Sequence, residues 1–244
     1  MSNIYLLEYE NGFLMLDCGL RTDIGRIEAY FRAIGRSPAD IKLLVVTHLH
    51  PDHAGSAVVL RKKYGIPLAA SPHIDRWYAG PGGAIQHIID CYLTRRALVH
   101  TGKSGKGIFF SRMVRPDFYL QDEMTLPYFE DWRVLLIAGH TTHDVALYHE
   151  QEKMLYPADY ICHLKGKYLL PVPILFPEKA EKSLQRLAQY DARTIILAHG
   201  DPISTDNSKA IFEHMCSKLL APQPEWATSV NRMFLFSSEI RRNR

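Results

Sequence analysis

The first fifty residues alternate between short apolar segments and polar turns. Residues 4–10 and 13–19 are predicted strands, and the Asn11-Gly12 pair between them is a strong hairpin signal. In residues 23–34 the apolar positions recur at the spacing of one helix face. Residues 41–47 form a continuous apolar run, which is typical of a strand buried on both faces. The chain is therefore predicted to open with a hairpin, an amphipathic helix and a buried strand.

The same alternation continues to about residue 219 without a linker or an internal repeat. Further strands are predicted at residues 67–71, 132–139, 144–150, 153–159 and 193–200, and further helices at 54–64, 84–98, 178–190 and 207–219. Two sheets covered by helices would satisfy this order of elements. We expect one domain over residues 1–220, with a helical and basic insertion at about 80–116 and a tail, 221–244, that packs on the same domain.

Composition narrows the class of protein. A chain of 244 residues with 47% hydrophobic content supplies one substantial core. The four cysteines are widely spaced, which argues against a disulfide framework and favours a reducing compartment. No run approaches the roughly 18 apolar residues that a membrane span needs. We therefore expect a cytoplasmic protein with no membrane span.

Charge is unevenly distributed although the net charge is only +3. Residues 91–116 hold six arginines and lysines and no acid. This stretch is interpreted either as plain solvated surface, as a lid, or as a contact for anionic substrate, phosphate or lipid headgroups. The sequence does not decide between these interpretations.

The chemistry concentrates directly after the buried strand. Residues 47–53, Thr-His-Leu-His-Pro-Asp-His, place three imidazoles and a carboxylate within six positions. These are the ligand types that suit zinc and neighbouring first-row metals. Three later candidates each follow an apolar segment, namely His140, Asp159 and His199. The pattern predicts a metal site built at strand ends.

The segment THLHPDHAGS resembles the H-x-H-x-D-H signature of the metallo-β-lactamase superfamily, and the three later segments resemble its further motifs in the expected order. The early MLDCG is similar to the L-x-D-x-G segment of the same family. This resemblance implies an α+β fold, the four-layer αββα sandwich. It also implies two divalent metal ions around a shared hydroxide, with zinc expected first and manganese, iron or cobalt as alternatives.

Carried over position by position, the resemblance implies seven ligands. One ion would be held by His48, His50 and His140, the other by Asp52, His53 and His199, with Asp159 bridging. Asp52 would also be catalytic, because a carboxylate touching the hydroxide can orient it and pass a proton to the leaving group. Asp17 is expected to orient a ligating imidazole, or else to be a simple turn aspartate.

The expected reaction is hydrolysis of an ester, thioester or lactone bond in a small molecule, because the chain resembles the hydroxyacylglutathione hydrolase-like and lactonase-like branch. The apolar residues 170–177 are interpreted as a wall for an acyl chain or as a packed loop, and Tyr160 and Tyr168 as candidate contacts for a substrate carbonyl. Alternatives are a phosphodiesterase or nuclease using the same metals, an iron-dependent redox enzyme, and a non-enzymatic metal-binding scaffold. Nucleic acid is not the expected partner, and a homodimer is left open.

Overall fold

The computed structural model describes residues 1–223, 225–234 and 236–243. The chain divides into two units, residues 1–120 and residues 121–244. Each unit builds its own sheets. The predicted division into a domain over residues 1–220 and a packed tail stays a prediction.

The first unit contains a five-stranded sheet in which the strands follow one another in chain order. Its strands are β1 (Tyr5–Tyr9), β2 (Gly12–Leu16), β3 (Ile41–Val46), β4 (Leu68–Ala70) and β5 (Phe118–Tyr119). The pair β1 and β2 is antiparallel, which confirms the predicted hairpin, whereas β2, β3, β4 and β5 pair in parallel. Parallel strands align their carboxyl ends, so the loop after β3 leaves the sheet at one defined edge.

Helices connect these strands. They are α1 (Ile24–Ala33), α2 (Pro51–Ala54), α3 (Ala57–Tyr64) and α4 (Gly80–His100). The helix predicted at 54–64 is thus two helices, because the chain bends at Gly55 and Ser56. A Cβ on Gly55 would lie 2.3 Å from the Pro51 carbonyl oxygen, so only glycine allows this close approach. The predicted helix at 84–98 is confirmed and extends over 21 residues.

The second unit contains a six-stranded sheet in the order β14, β12, β9, β8, β7, β6. These strands are β6 (Thr125–Leu126), β7 (Phe129–Ile137), β8 (Asp144–His149), β9 (Met154–Tyr156), β12 (Thr194–Ile195) and β14 (Ile203–Ser204). A small three-stranded sheet consists of β10 (Cys162–Leu164), β11 (Lys167–Leu169) and β13 (His199–Gly200). The single strand predicted at 193–200 is wrong, because β12 pairs with β9 and the chain then crosses to pair β13 with β10.

The helices of the second unit are α5 (Pro177–Leu187), α6 (Ser208–Leu220), α7 (Glu225–Arg232) and α8 (Ser238–Asn243). The first two confirm the helices predicted at 178–190 and 207–219. Leu184, Phe212 and Met215 bury their side chains in the core of this unit, together with Leu135 and Leu155 of the six-stranded sheet. Across the described residues, no helix combines the length and the apolar character needed to cross a bilayer.

The strand β3 is central to the first sheet and offers a test of its packing. Leu44 is fully buried, whereas Lys42 on the same strand is exposed. We expect Leu44→Ala to lower the free energy of unfolding by about 2–5 kcal/mol, because it leaves a cavity in the close-packed core against one face of the sheet. The control Lys42→Ala should change it by no more than about 0.5 kcal/mol. Urea unfolding of both variants measures this, and equal shifts would contradict the described burial.

Candidate metal centre

The first cluster of predicted ligands lies on the loop that follows β3 and on α2. His48, His50 and His53 are all buried. The ring centroid of His48 lies 4.7 Å from that of His50 and 4.0 Å from that of His53. The Asp52 carboxylate approaches His53 Nε2 to 4.0 Å. The loop therefore gathers three imidazoles and a carboxylate, as predicted.

Asp17, just after β2, holds this loop in place. Its buried carboxylate accepts hydrogen bonds from the Thr47 backbone N–H at 2.9 Å, from Thr47 Oγ1 at 2.8 Å and from His53 Nδ1 at 2.8 Å. Asp17 has a φ of 52°, a left-handed conformation that aspartate tolerates better than most residues. An ordinary turn aspartate would be solvated, whereas this one is fully buried among donors.

These contacts determine which ring nitrogen of His53 and of His48 carries the proton. His53 Nδ1 donates to the carboxylate of Asp17. His48 Nδ1 lies 3.1 Å from Thr47 Oγ1, and that hydroxyl already donates its proton to Asp17. His48 Nδ1 must therefore carry the proton in this contact, which leaves the lone pair on Nε2 in both neutral rings. A neutral imidazole with an oriented Nε2 lone pair is the form that binds a metal ion.

The second cluster lies in the second unit around Asp159. His140 follows β7, Asp159 follows β9 and His199 begins β13. One carboxylate oxygen of Asp159 lies 3.6 Å from His140 Nε2, and the other lies 3.4 Å from His199 Nε2. Asp159 thus stands between the two imidazoles, with one oxygen directed to each.

The position of His140 is set by the chain on either side of it. His140 Nδ1 donates to the Pro173 carbonyl oxygen at 2.8 Å, and a carbonyl only accepts, so Nε2 again holds the lone pair. Gly139 precedes it with a φ of 150°, and a Cβ there would lie 2.4 Å from Ala180 Cα. His140 therefore follows a backbone that only glycine can adopt.

Tyr160 was a candidate for contacting a substrate carbonyl, but its hydroxyl has another role. It donates to the buried Asp144 carboxylate at 3.2 Å, and the Thr141 backbone N–H donates to the same group at 2.8 Å. Burial raises the pKa of the Asp144 carboxyl, while the electrostatic influence of the nearby His140 ring and these donors act in the opposite direction. Burial also raises the pKa of Tyr160 well above its usual value. The tyrosine therefore supports the turn after His140.

The sequence did not indicate that α4 carries a buried carboxyl group, that of Asp90. The Tyr78 hydroxyl donates to Asp90 at 2.7 Å. Burial raises the pKa of Asp90 to about 8, and the charge of Asp52 adds to the effect. Burial, together with Arg112, lowers the pKa of His87 to about 4. The only sequence signal was an acid inside the apolar run HIIDCYL.

The structure thus brings the seven predicted ligands into two clusters, one in each unit. The first cluster lies on the loop after β3 and on α2 and consists of His48, His50, Asp52 and His53. The second cluster consists of His140, Asp159 and His199. Both clusters consist of imidazoles and carboxylates, and the tautomers of His48, His53 and His140 are suited to a metal ion. The donor sets fit the expected ions, and the division into two specific ion sites stays a prediction.

Asp90 predicts a dependence of stability on pH. Its folded pKa of about 8 exceeds the ordinary 3.8, so between these values the folded state binds more protons than the unfolded state. The free energy of unfolding should therefore fall as pH rises from about 4 to about 8. Asp90→Asn cannot ionise, so its stability relative to the natural chain should increase with pH across this window. Urea unfolding at several pH values measures the difference, and parallel curves for the two proteins would contradict it.

Comparison with known proteins agrees with this geometry. The sequence model of the metallo-beta-lactamase superfamily matches residues 1–199. The probable metallo-hydrolase YflN of Bacillus subtilis is 18% identical over 240 residues, which are 90% of this chain and 88% of YflN. Ribonuclease J of Mycoplasma pneumoniae is 31% identical over 78 residues, which are 30% of this chain and only 14% of the ribonuclease.

Among solved structures, a metallo-beta-lactamase family protein of Thermus thermophilus has a TM-score of 0.69 and 22% identity, over 99% of this chain and 86% of that one. This likeness, with the family match, confirms the predicted α+β fold class. The match covers most of the chain, including both clusters. The chain therefore belongs to the metallo-beta-lactamase superfamily and is a metal-binding hydrolase of that superfamily.

Proposed function

We propose that the protein is a binuclear metal-dependent hydrolase that cleaves ester, thioester or lactone bonds of a small molecule. One ion is held by His48, His50 and His140, and the other by Asp52, His53 and His199. Asp159 bridges the two. Support comes from the two carboxylate oxygens of Asp159, which are directed to His140 and His199. Zinc is the first expectation for this mixture of nitrogen and oxygen ligands.

When bound, such ions bring the pKa of water toward about 7 and polarise the carbonyl that is attacked. The protein supplies orientation and proton transfer. Asp52 is suited to both tasks, because its side chain is partly accessible and the Ser2 backbone N–H holds one oxygen at 3.2 Å. In this proposal Asp52 orients the attacking water and passes a proton to the leaving group.

The observation that carries the substrate class is the loop at residues 170–176. Its Pro173 carbonyl accepts the hydrogen bond from His140 Nδ1. The same loop and Trp226 line a groove of about 410 Å³, which is largely apolar and has none of the seven predicted ligands in its lining. A groove of this size suits an acyl chain. The acyl part would therefore lie beside the segment that positions a ligand.

This reasoning also favours the hydroxyacylglutathione hydrolase-like and lactonase-like branch for the chain. A reducing location such as the cytoplasm is consistent with the four cysteines, none of which forms a disulfide. The nuclease alternative rests on the 78-residue similarity to Ribonuclease J and on the basic stretch 91–116. Because that similarity covers only 14% of the ribonuclease, it does not support the same substrate for this chain.

The test is metal content of the purified protein by elemental analysis, followed by hydrolysis of thioesters, lactones, aryl esters and phosphodiesters. We expect about two zinc ions per chain and turnover of acyl substrates. His140→Ala and Asp52→Ala should each lose metal and activity together, because each removes a ligand. His73→Ala, which alters an exposed histidine, is the control and should change neither.

Three results would overturn the proposal. Turnover of phosphodiesters alone would support a nuclease, and iron with oxygen-dependent activity would support a redox enzyme. Full metal content and rate in either ligand variant would show that the ligand assignment is wrong.

Asp17 predicts a graded effect on metal affinity. Asp17→Asn keeps the shape of the side chain but removes the charge that orients His53 and, through Thr47, His48. We expect zinc affinity to fall by about 10–100-fold, the usual cost of losing such a partner. Competition with a chromogenic chelator measures the dissociation constant, and Asp191→Asn on the exposed surface is the control.

The melting temperature of the metal-free Asp17→Asn protein separates loss of fold from loss of affinity. A folded variant with unchanged zinc affinity would show that Asp17 has no positioning role.

A further inference from the structure

The helix α4 departs in part from the usual arrangement of side chains on a surface helix. Gln86, His87 and Asp90 are buried, whereas large apolar side chains point to solvent. Ile88 is 55% exposed and Val99 is 57% exposed. The helices of globular proteins normally direct apolar residues to the core and polar residues to water. The outer face of α4 therefore exposes apolar side chains whose contact with water is unfavourable.

The loop after α4 extends this face. Gly105 packs against Arg95 and Val99, since a Cβ on it would lie 3.1 Å from Val99 Cγ2. The Phe109 ring, itself 59% exposed, lies 6.0 Å from the His87 ring. We call the exposed side chains of α4 and of this loop the outer patch. Its members are the exposed apolar residues Ile85, Ile88, Tyr92, Val99 and Phe109 and the exposed basic residues Arg95, Arg96, Lys103 and Lys106.

The outer patch is strongly basic. Residues 91–116 contain no acid. Among the residues that the structure describes, no ion pair involves Arg95, Arg96, Lys103 or Lys106. The Arg96 guanidinium lies 6.0 Å from the Tyr92 ring, which places a cation beside an exposed aromatic side chain. The basic side chains are thus available to an external anionic surface.

We propose that the outer patch seats the protein on an anionic lipid bilayer, with α4 lying in the plane of the interface. An interfacial helix gains affinity by burying apolar side chains among lipid headgroups and acyl chains, and basic residues add attraction to anionic lipids. The outer patch offers both features on one face. This role is independent of the metal centre.

The chemistry of the outer patch favours a bilayer over other partners. Nucleic acid would use the basic residues and could stack bases on Tyr92 and Phe109, but it would leave the aliphatic side chains of Ile85, Ile88 and Val99 exposed to water. A second copy of the chain packed patch to patch about a two-fold axis would bring like charges together. An anionic bilayer can pair its headgroups with the basic side chains and bury the aliphatic side chains at the same time.

The experiment is co-sedimentation of the purified full chain with vesicles. We compare vesicles of phosphatidylcholine alone with vesicles containing about one-third phosphatidylserine, at low and high salt. The double variant R95E/R96E removes two attractive charges and adds two repulsive ones. The matched control K62E/K182E makes the same change in net charge at exposed lysines outside the outer patch.

We expect binding to the anionic vesicles only, with partitioning reduced about tenfold or more by R95E/R96E and little changed by K62E/K182E. The natural chain should keep part of its binding in high salt, where charges are screened, and I85S/I88S should lose that part. Circular dichroism of each variant confirms that it is folded.

Equal loss in both charge variants would overturn the proposal, because net charge alone would then explain binding. Equal binding to phosphatidylcholine vesicles and to vesicles containing phosphatidylserine would also overturn the proposal. Binding to a single-stranded RNA but not to vesicles would replace the bilayer with nucleic acid. A dimer that R95E/R96E dissociates, in a protein that ignores vesicles, would replace it with a second copy of the chain.

Discussion

The buried carboxylate of Asp17 is the group on which the arrangement of the first cluster depends. It is inaccessible to water and is stabilised by donors from Thr47 and His53. A buried charge without such donors would be costly, so the carboxylate and the loop after β3 hold each other in place. The direct contact orients His53, and the contact relayed through Thr47 orients His48. One side chain therefore sets the direction of two Nε2 lone pairs.

In the second cluster a backbone carbonyl group orients an imidazole ring. The Pro173 carbonyl takes the place of a carboxylate and fixes the ring of His140. The buried Asp144 with Thr141 and Tyr160 then supports the turn that follows. Ligand direction is therefore linked to the loop at residues 170–176, which also walls the apolar groove. The same loop therefore contacts His140 and lines the groove that is proposed for an acyl chain.

The ligand candidates could be named from the sequence because their signal is local. His48, His50 and His53 share one loop, and each later candidate lies at or near a strand end. Contacts between distant residues were not predictable. The contact between Tyr78 and Asp90 joins side chains that are 12 positions apart, and the crossing from β12 to β13 depends on which neighbouring strands are available for pairing. The contact of the Tyr160 hydroxyl with Asp144 was not predictable from its motif either.

The central claim is that both clusters act as one binuclear centre. The most direct measurement is a crystal structure of the metal-loaded protein with diffraction recorded on both sides of the metal absorption edge. We predict two anomalous peaks about 3.5–4 Å apart, as in other two-metal sites, with Asp159 between them. A single ion, or two ions bound separately by the two clusters, would contradict the account.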